Sequence, residues 1–316
     1  MKKRTIISLF IAIILIVAGG SIFTLTLAKE NWGNDIKNYL TNTHELNDDF
    51  NKIYVDVDSA DINLIYSNEN KVECYEKEKV THSVEIIDNT LNIKVNDNRK
   101  PYEKLFGYSV DKITIYLSKQ KLENLQIDAT SSDVLVAKEF EFTNVDIDVT
   151  TGDVELYGNI TNTLNINVTT GDIDIDSING NKVNIKTTTG DVEIKNVTLL
   201  GDLFIKVTSG DVELSNITCK NLTSEGTTGE IELKNVILSG KLYIHRSTGD
   251  VYFNKCDANE IEIKVSTGDI EGSLLSSKNF VVDTTTGKKH VPSSSNTGGV
   301  CKLTSTTGDI IITIED

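Results

Sequence analysis

The feature that most constrains this chain is a short string that keeps returning. "VTTGDVEL" at 149–156 comes back as "VTTGDIDI" at 168–175, "VTSGDVEL" at 207–214 and "VSTGDIE" at 265–271. With the glycine as reference, the string falls at Gly152, Gly171, Gly190, Gly210, Gly229, Gly249, Gly268, Gly287 and Gly308, in steps of 19 to 21 residues. Ser132 in "TSSDV" fills the position one step earlier, and Ala60 in "DSADI" fills it before a long interruption. A fixed period of this size marks a repeat architecture, in which each unit buries its apolar face only by stacking on its neighbours.

Within each repeat the apolar residues hold fixed phases. Seven residues before the glycine stand Val145, Leu164, Val183, Leu203, Leu222, Leu242 and Ile261, and two after it stand Val154, Ile173, Val192, Val212, Ile231, Val251 and Ile270. The positions between are mostly Asp, Asn, Glu, Lys or Thr. This is the period-two alternation of strands with one buried face. Val149 and Val154 are both inward yet five residues apart, a spacing that would put them on opposite faces of a straight strand. The chain therefore turns a corner at "TTGD". Glycine permits the positive φ such a corner needs, and Asp and Thr side chains bond nearby backbone groups. A second corner is expected about six residues on, where Asn196, Asn216 and Asn235 recur and would stack as a ladder.

Two architectures fit: a solenoid in which each repeat is one coil, or antiparallel hairpins closed by Thr-Gly. Like residues at like phase over nine steps favour the solenoid. The expected fold is all-β, a parallel, right-handed β-helix-like solenoid of 19–20-residue coils preceded by one N-terminal transmembrane helix. Ten regular positions, from Ser132 to Gly308, would make a rod about 45–50 Å long.

Domain boundaries follow from departures from the repeat. Residues 1–4 form a basic tip. Residues 5–28, "TIISLFIAIILIVAGGSIFTLTLA", carry no charge, enough for the about 20 apolar residues of a membrane span. The run exceeds the roughly 7–15 apolar residues of a secretory signal, although Thr26 and Ala28 offer a cleavage site. Basic residues stay on the cytoplasmic side, so the expected protein is a single-pass cell-membrane protein with its body outside. Residues 29–50 read as a polar stalk or short helix. Residues 51–316 form the solenoid, with an irregular insert at 67–118 and a loop at 287–299. The chain closes on "GDIIITIED", expected to leave an uncapped coil open to edge pairing and end-to-end self-association.

Charge narrows the partners. The net charge is −16, and three of the 31 basic residues lie in the first four positions. So acidic a body argues against nucleic acid and against docking on anionic lipid. The four cysteines, Cys74, Cys219, Cys256 and Cys301, show no CxxC or CxxH spacing and read as scattered free thiols.

The repeated "TTGDVE" and "TTGDID", the lead-in "ITIYLSKQKLENLQIDATSSDV" and the tail "VVDTTTGKKHVPSSSNTGGVCKLTSTTGDIIITI" carry a resemblance over roughly residues 50–316. The chain resembles the putative-adhesin family of β-strand-repeat domains of unknown function, common in low-GC Gram-positive bacteria. The resemblance implies an extracytoplasmic β-solenoid, often tethered by one N-terminal helix, with some members beside envelope-stress regulators. It implies no activity and brings no catalytic residues.

Candidate sites are dominated by acids. Asp133, Asp153, Asp172, Asp191, Asp211, Glu230, Asp250 and Asp269 form one row just after the corner, and Glu155, Asp174, Glu193, Glu213, Glu232 and Glu271 form a second. Stacked carboxylates repel by roughly 1 kcal/mol per solvated pair, which a calcium ion could relieve. The calcium candidates are Asp153, Glu155, Asp172, Asp174, Asp191, Glu193, Asp211 and Glu213. Glu230 and Lys288 interrupt the Asp row, the calcium-binding nonapeptide is absent, and turn chemistry on a solvated face explains the same residues. No catalytic residue or cofactor is assigned. A polysaccharide lyase or hydrolase would need converging carboxylates in a cleft between the loops near 97–109 and 287–299. Arg246 falls at an inward position and is expected to pair with a neighbouring acid. No GxSxG, HExxH or phosphate loop is present. The expected function is a non-catalytic, adhesin-like envelope module linked to envelope stress. The alternatives are a carbohydrate-active enzyme and a calcium-stiffened adhesive rod.

Overall fold

The computed structural model describes residues 39–100, 110–295 and 298–315. The basic tip, the apolar segment 5–28 and the start of the stalk lie outside the described residues. Among the described residues no helix is long and apolar enough to cross a membrane.

One coil explains the rest. The strand Lys182–Thr189 buries Val183, Ile185 and Thr187 in strict alternation. Gly190 then turns the corner at φ 138°, and Val192–Leu199 resumes the alternation with Val192 and Ile194 buried. Asn196 at φ 55° shifts the phase, so that Val197 and Leu199 also point inward. The coil therefore has three faces, bent at Gly190 and Asn196. Each strand pairs in parallel with its copy in the next coil: Leu164 with Val183, Val183 with Leu203, Ile173 with Val192 and Val192 with Val212. The expected parallel solenoid is the observed fold. Its core is one continuous aliphatic column, each member of which contributes about 1.5–3 kcal/mol when fully buried.

The glycine corner is enforced twice. A Cβ on Gly190 would stand 1.9 Å from the carbonyl oxygen of Gly171, and nine such glycines, from Gly152 to Gly308, share the positive φ. The asparagine corner carries the expected ladder: Asn235 donates to Asn216, Asn216 to Asn196, and Asn196 to Asp176, at 2.8–3.1 Å.

Both ends depart from chain order. The N-terminal strands are β1 (Tyr39–Glu45), β2 (Lys52–Val57), β3 (Ala60–Tyr66), β4 (Lys71–Lys77), β5 (Val80–Ile87), β6 (Thr90–Asp97), β7 (Asp111–Leu117), β8 (Lys121–Ser131) and β9 (Val134–Val136). β2 lies between β6 and β8, and β3 lies between β7 and β9, all parallel. Part of the insert at 67–118 continues the stack. Its strands β6 and β7 form an extra coil on the outside of the β2–β3 coil. Beyond that coil the direction reverses: β5 runs antiparallel to β6, β4 to β7, and β1 to β4. Residues 39–45, expected within a stalk or short helix, are a strand instead. Tyr39 stacks on Tyr75 with ring centroids 4.7 Å apart, and its hydroxyl accepts the Val110 amide at 2.8 Å.

The C-terminal end inverts in the same way. Val300–Thr307 lies between Glu260–Thr267 and Asn279–Thr286. Ile310–Ile314 lies between Ile270–Leu274 and Lys289–His290. The expectation that "GDIIITIED" is the open coil is therefore overturned: the last strands are internal and the Gly287 coil is outermost. The reason is visible in the sequence. The Gly287 coil carries Lys289 where other coils carry Val or Ile, and only an outer coil leaves that lysine exposed to pair with Asp283 at 3.1 Å. The outer strand's edge is partly engaged, since Phe280 N–H donates to Ser294 Oγ at 3.0 Å and Ser295 N–H to the Lys278 carbonyl at 2.8 Å.

Candidate functional site

The acidic rows lie where the sequence puts them, and the first is knitted into the stack. Asp133 Oδ1 accepts the backbone N–H of Asp153 at 2.9 Å, Asp153 that of Asp172 at 2.8 Å, and Asp172 that of Asp191 at 2.7 Å. The ladder continues through Asp191 and Asp211 to the amide of Glu230. Such charge-assisted bonds to backbone amides are shorter and stronger than neutral ones. In the second row Glu155, Asp174, Glu193 and Glu213 stand directly opposite one another. Tyr157 donates to Glu155 at 3.1 Å, and Lys195 pairs with Glu193. Burial, then these carboxylates, push the Tyr157 phenol up. Neither row gathers three carboxylates as a metal cluster would. Among the described residues, the one group of three possible metal ligands with donor atoms within 4.8 Å of each other is Cys74, Glu76 and His82.

A groove of about 650 Å³ runs across the coils beside the glycine corner. Its floor carries the threonines two residues before each corner, and its wall is the row four residues before. That wall reads Asp56, Asp128, Asp148, Asn167, Lys186, Lys206, each paired with the next in the sheet. The charge reverses along the groove. At the acidic end burial and then Asp56 and Asp128 push the Tyr54 phenol up to about 12, and burial and then Asp148 raise Asp146 above its ordinary range. Asn167 donates to Asp148 at 2.7 Å and marks the crossover. This reversal escaped the sequence reading, although the row of residues before each corner contains it.

The described residues that border the two loop regions lie at opposite ends of the stack. Asp97 and Val110 flank the outer N-terminal coil, and Gly287 begins the outer C-terminal one. Among the described residues no cleft joins these two ends. Arg246 is inward as expected, and fully buried. The acid partner is not found. Its Nη2 donates to Ser224 Oγ at 3.2 Å, while Nε and Nη1 meet no acceptor among the described residues. Ser224 and Gly226 replace the larger inward residues of adjacent coils and make room for it: a Cβ on Gly226 would stand 2.2 Å from Arg246 Nη1. Burial lowers the guanidinium to about 10, opposed only by Asp211.

The cysteines are free and all buried. Burial pushes Cys219, Cys256 and Cys301 up to about 12, 11 and 12. Cys74 differs by its company in the antiparallel cap. Glu76 accepts from Asn42 Nδ2 at 2.6 Å and from the His82 amide at 2.7 Å, and its Oε2 lies 2.7 Å from His82 Nδ1. Sequence reading left Cys74 among scattered thiols. The signal was there in Cys74 and Glu76 two apart on one strand, but His82 joins them only through the hairpin.

With this geometry in view, comparison with known proteins is decisive on one point. The model of the Toastrack DUF4097 family matches residues 50–239, the cap and the first regular coils. The chain belongs to the Toastrack DUF4097 family. No curated protein matches it. Among solved structures, a putative adhesin from Bacteroides fragilis is similar at 16% identity and a TM-score of 0.43, covering 88% of this chain and 98% of its own. A putative adhesin from Parabacteroides distasonis shares 11% identity at a TM-score of 0.48, covering 86% and 96%. A putative lipid binding protein from the same species shares 16% identity at a TM-score of 0.27, covering 87% and 97%. The assignment to Toastrack DUF4097 rests on the sequence match rather than on these likenesses.

Proposed function

We propose that this Toastrack DUF4097 protein is a non-catalytic, adhesin-like surface module, held to the cell membrane by residues 5–28, that binds an extended polar polymer along its charge-reversed groove. The observation that carries the reading is the groove itself: a rigid wall of Asp56, Asp128 and Asp148 passing through Asn167 to Lys186 and Lys206. Parallel pairing fixes these side chains at strand spacing, roughly 4.8 Å per coil, so a chain lying across the coils meets both signs of charge in register. The Asp row beside the corner supports it, because those carboxylates are engaged in holding coil to coil.

The test is co-sedimentation of the purified full chain with envelope polysaccharides and wall polymers, with polymer length followed in the same samples. Binding without shortening is expected. The double substitution Lys186→Glu with Lys206→Glu, at exposed positions, is expected to weaken it at least tenfold. A polymer-shortening activity abolished by a point substitution would overturn the reading. A role in envelope stress adds a further expectation, that the protein's level rises when the envelope is damaged.

A further inference from the structure

The cap contains a cluster that the groove does not use. Cys74 and Glu76 alternate on β4, so both face inward, and β5 brings His82 to them from across the turn at Glu78 and Lys79. Their relative exposures are 0%, 2% and 5%. Their donor atoms lie within 4.8 Å of one another. A buried Glu–His pair would account for two of these residues. It would not account for a thiol placed within the same reach.

We propose that Cys74, Glu76 and His82 form a binding site for a divalent metal of the zinc class, which ties β4 to β5 at the end of the stack. Thiolate, imidazole and carboxylate together are a zinc donor set. One thiolate and one carboxylate neutralise the dication, which an apolar interior demands. The outer contacts are also in place. Asn42 Nδ2 holds one Glu76 oxygen at 2.6 Å and the His82 amide holds the other at 2.7 Å, fixing the carboxylate as metal sites require. Metal binding forms bonds to Cys74 Sγ, His82 Nδ1 and a Glu76 oxygen, and a water completes the tetrahedron. The Cys74 S–H proton leaves to solvent, and the neutral His82 ring keeps its proton on Nε2 so that Nδ1 offers its lone pair. The 2.7 Å His82–Glu76 contact opens to the roughly 3.3 Å that two bonds of about 2.0 Å subtend at a tetrahedral centre. A tie here has a physical purpose, since β5 pairs along its length with β6 alone and meets β4 only at Val80 and Lys77.

The experiment uses the full chain in detergent, stripped with a chelator and titrated with zinc or cobalt. One metal per chain is expected, with a thiolate-to-cobalt charge-transfer band, tetrahedral visible bands and a higher Tm with zinc. Cys74→Ala and His82→Gln should lose the bands. Asn42→Ala, at an exposed position outside the donor set, should keep the fold and weaken zinc by about 10–100-fold. A natively folded chain that binds less than one metal, shows no thiolate band, or binds equally well as Cys74→Ala overturns the proposal and leaves a hydrogen-bonded Glu76–His82 pair.

Discussion

The regular stack and the N-terminal cap solve the same problem by opposite means. In the stack most coils repeat their neighbour's residues: glycine corners throughout, asparagine corners at Asn196, Asn216 and Asn235, aspartate and asparagine ladders, and a mainly aliphatic interior. In the cap almost nothing repeats. Strands reverse direction, Tyr39 stacks on Tyr75, and Cys74, Glu76 and His82 replace aliphatic residues inside. The difference teaches where repetition must stop. An internal coil is completed by a copy of itself on each side. The outer N-terminal coil has no second copy, and it is closed by strands of another kind.

The largest effect expected to separate the two modes is at a glycine corner. Gly190→Ala forces both a positive φ and a 1.9 Å approach to the Gly171 carbonyl, and should cost on the order of 4 kcal/mol in denaturant unfolding. Gly158→Ala, at an ordinary φ with its nearest contact at 3.1 Å, should cost less than about 1 kcal/mol. Equal losses would show that the corner is not what fixes the coil.

Next comes the question of whether cap and stack unfold together. Ile185 in the stack and Leu91 in β6 are both fully buried in one continuous core. Each truncation to Ala should cost about 3 kcal/mol in a single shared transition. A separate early transition in Leu91→Ala alone would make the cap an independent unit.

Arg246 is the place where the stack breaks its own rule, and restoring the rule should stabilise it. The double change Ser224→Ile with Arg246→Val, leaving Gly226 because a Cβ there would stand 2.1 Å from the Val207 carbonyl oxygen, should add about 2 kcal/mol at neutral pH by removing a buried, unpaired charge. Burial holds the folded guanidinium down at about 10, below its ordinary value in the unfolded chain. Between those values the unfolded chain binds more protons, so wild-type stability from this group rises with pH. The gap between the variant and wild type should be flat below pH 10 and narrow above it. A gap that widens there would mean the charge is compensated inside the core.

The smallest effect concerns the Asp ladder. The amide of Glu230 is held by Asp211 at 2.7 Å, but no matching bond runs from Glu230 to the amide of Asp250. Glu230→Asp should complete the ladder and add about 0.5–1 kcal/mol, read as a shift in the denaturant midpoint. A loss would show that the ladder follows from stacking rather than supporting it.

Much of this was legible in the chain. The odd spacing of Val149 and Val154 required a corner, the fixed phases of Leu164, Val183 and Leu203 favoured parallel stacking, and Asn196, Asn216 and Asn235 announced their ladder. These features are local, and repetition states them many times over. The charge reversal from Asp148 to Lys186 was also present but hidden, because it is read across coils at one phase rather than along any strand.

What the sequence by itself determined is the coil: its period, its corners and which residues face inward, since each follows from the alternation of side chains and the φ a residue tolerates. Only the tertiary structure decided the order of coils at the two ends, the burial of Arg246 without an acid, and the meeting of Cys74 and Glu76 with His82. Parallel strands pair with whichever edge offers a complementary face, and that edge need not belong to the next segment of chain. The exposed Lys289 sends its coil outward, and the reversed strands of the cap bring residues together that no repeat could have announced.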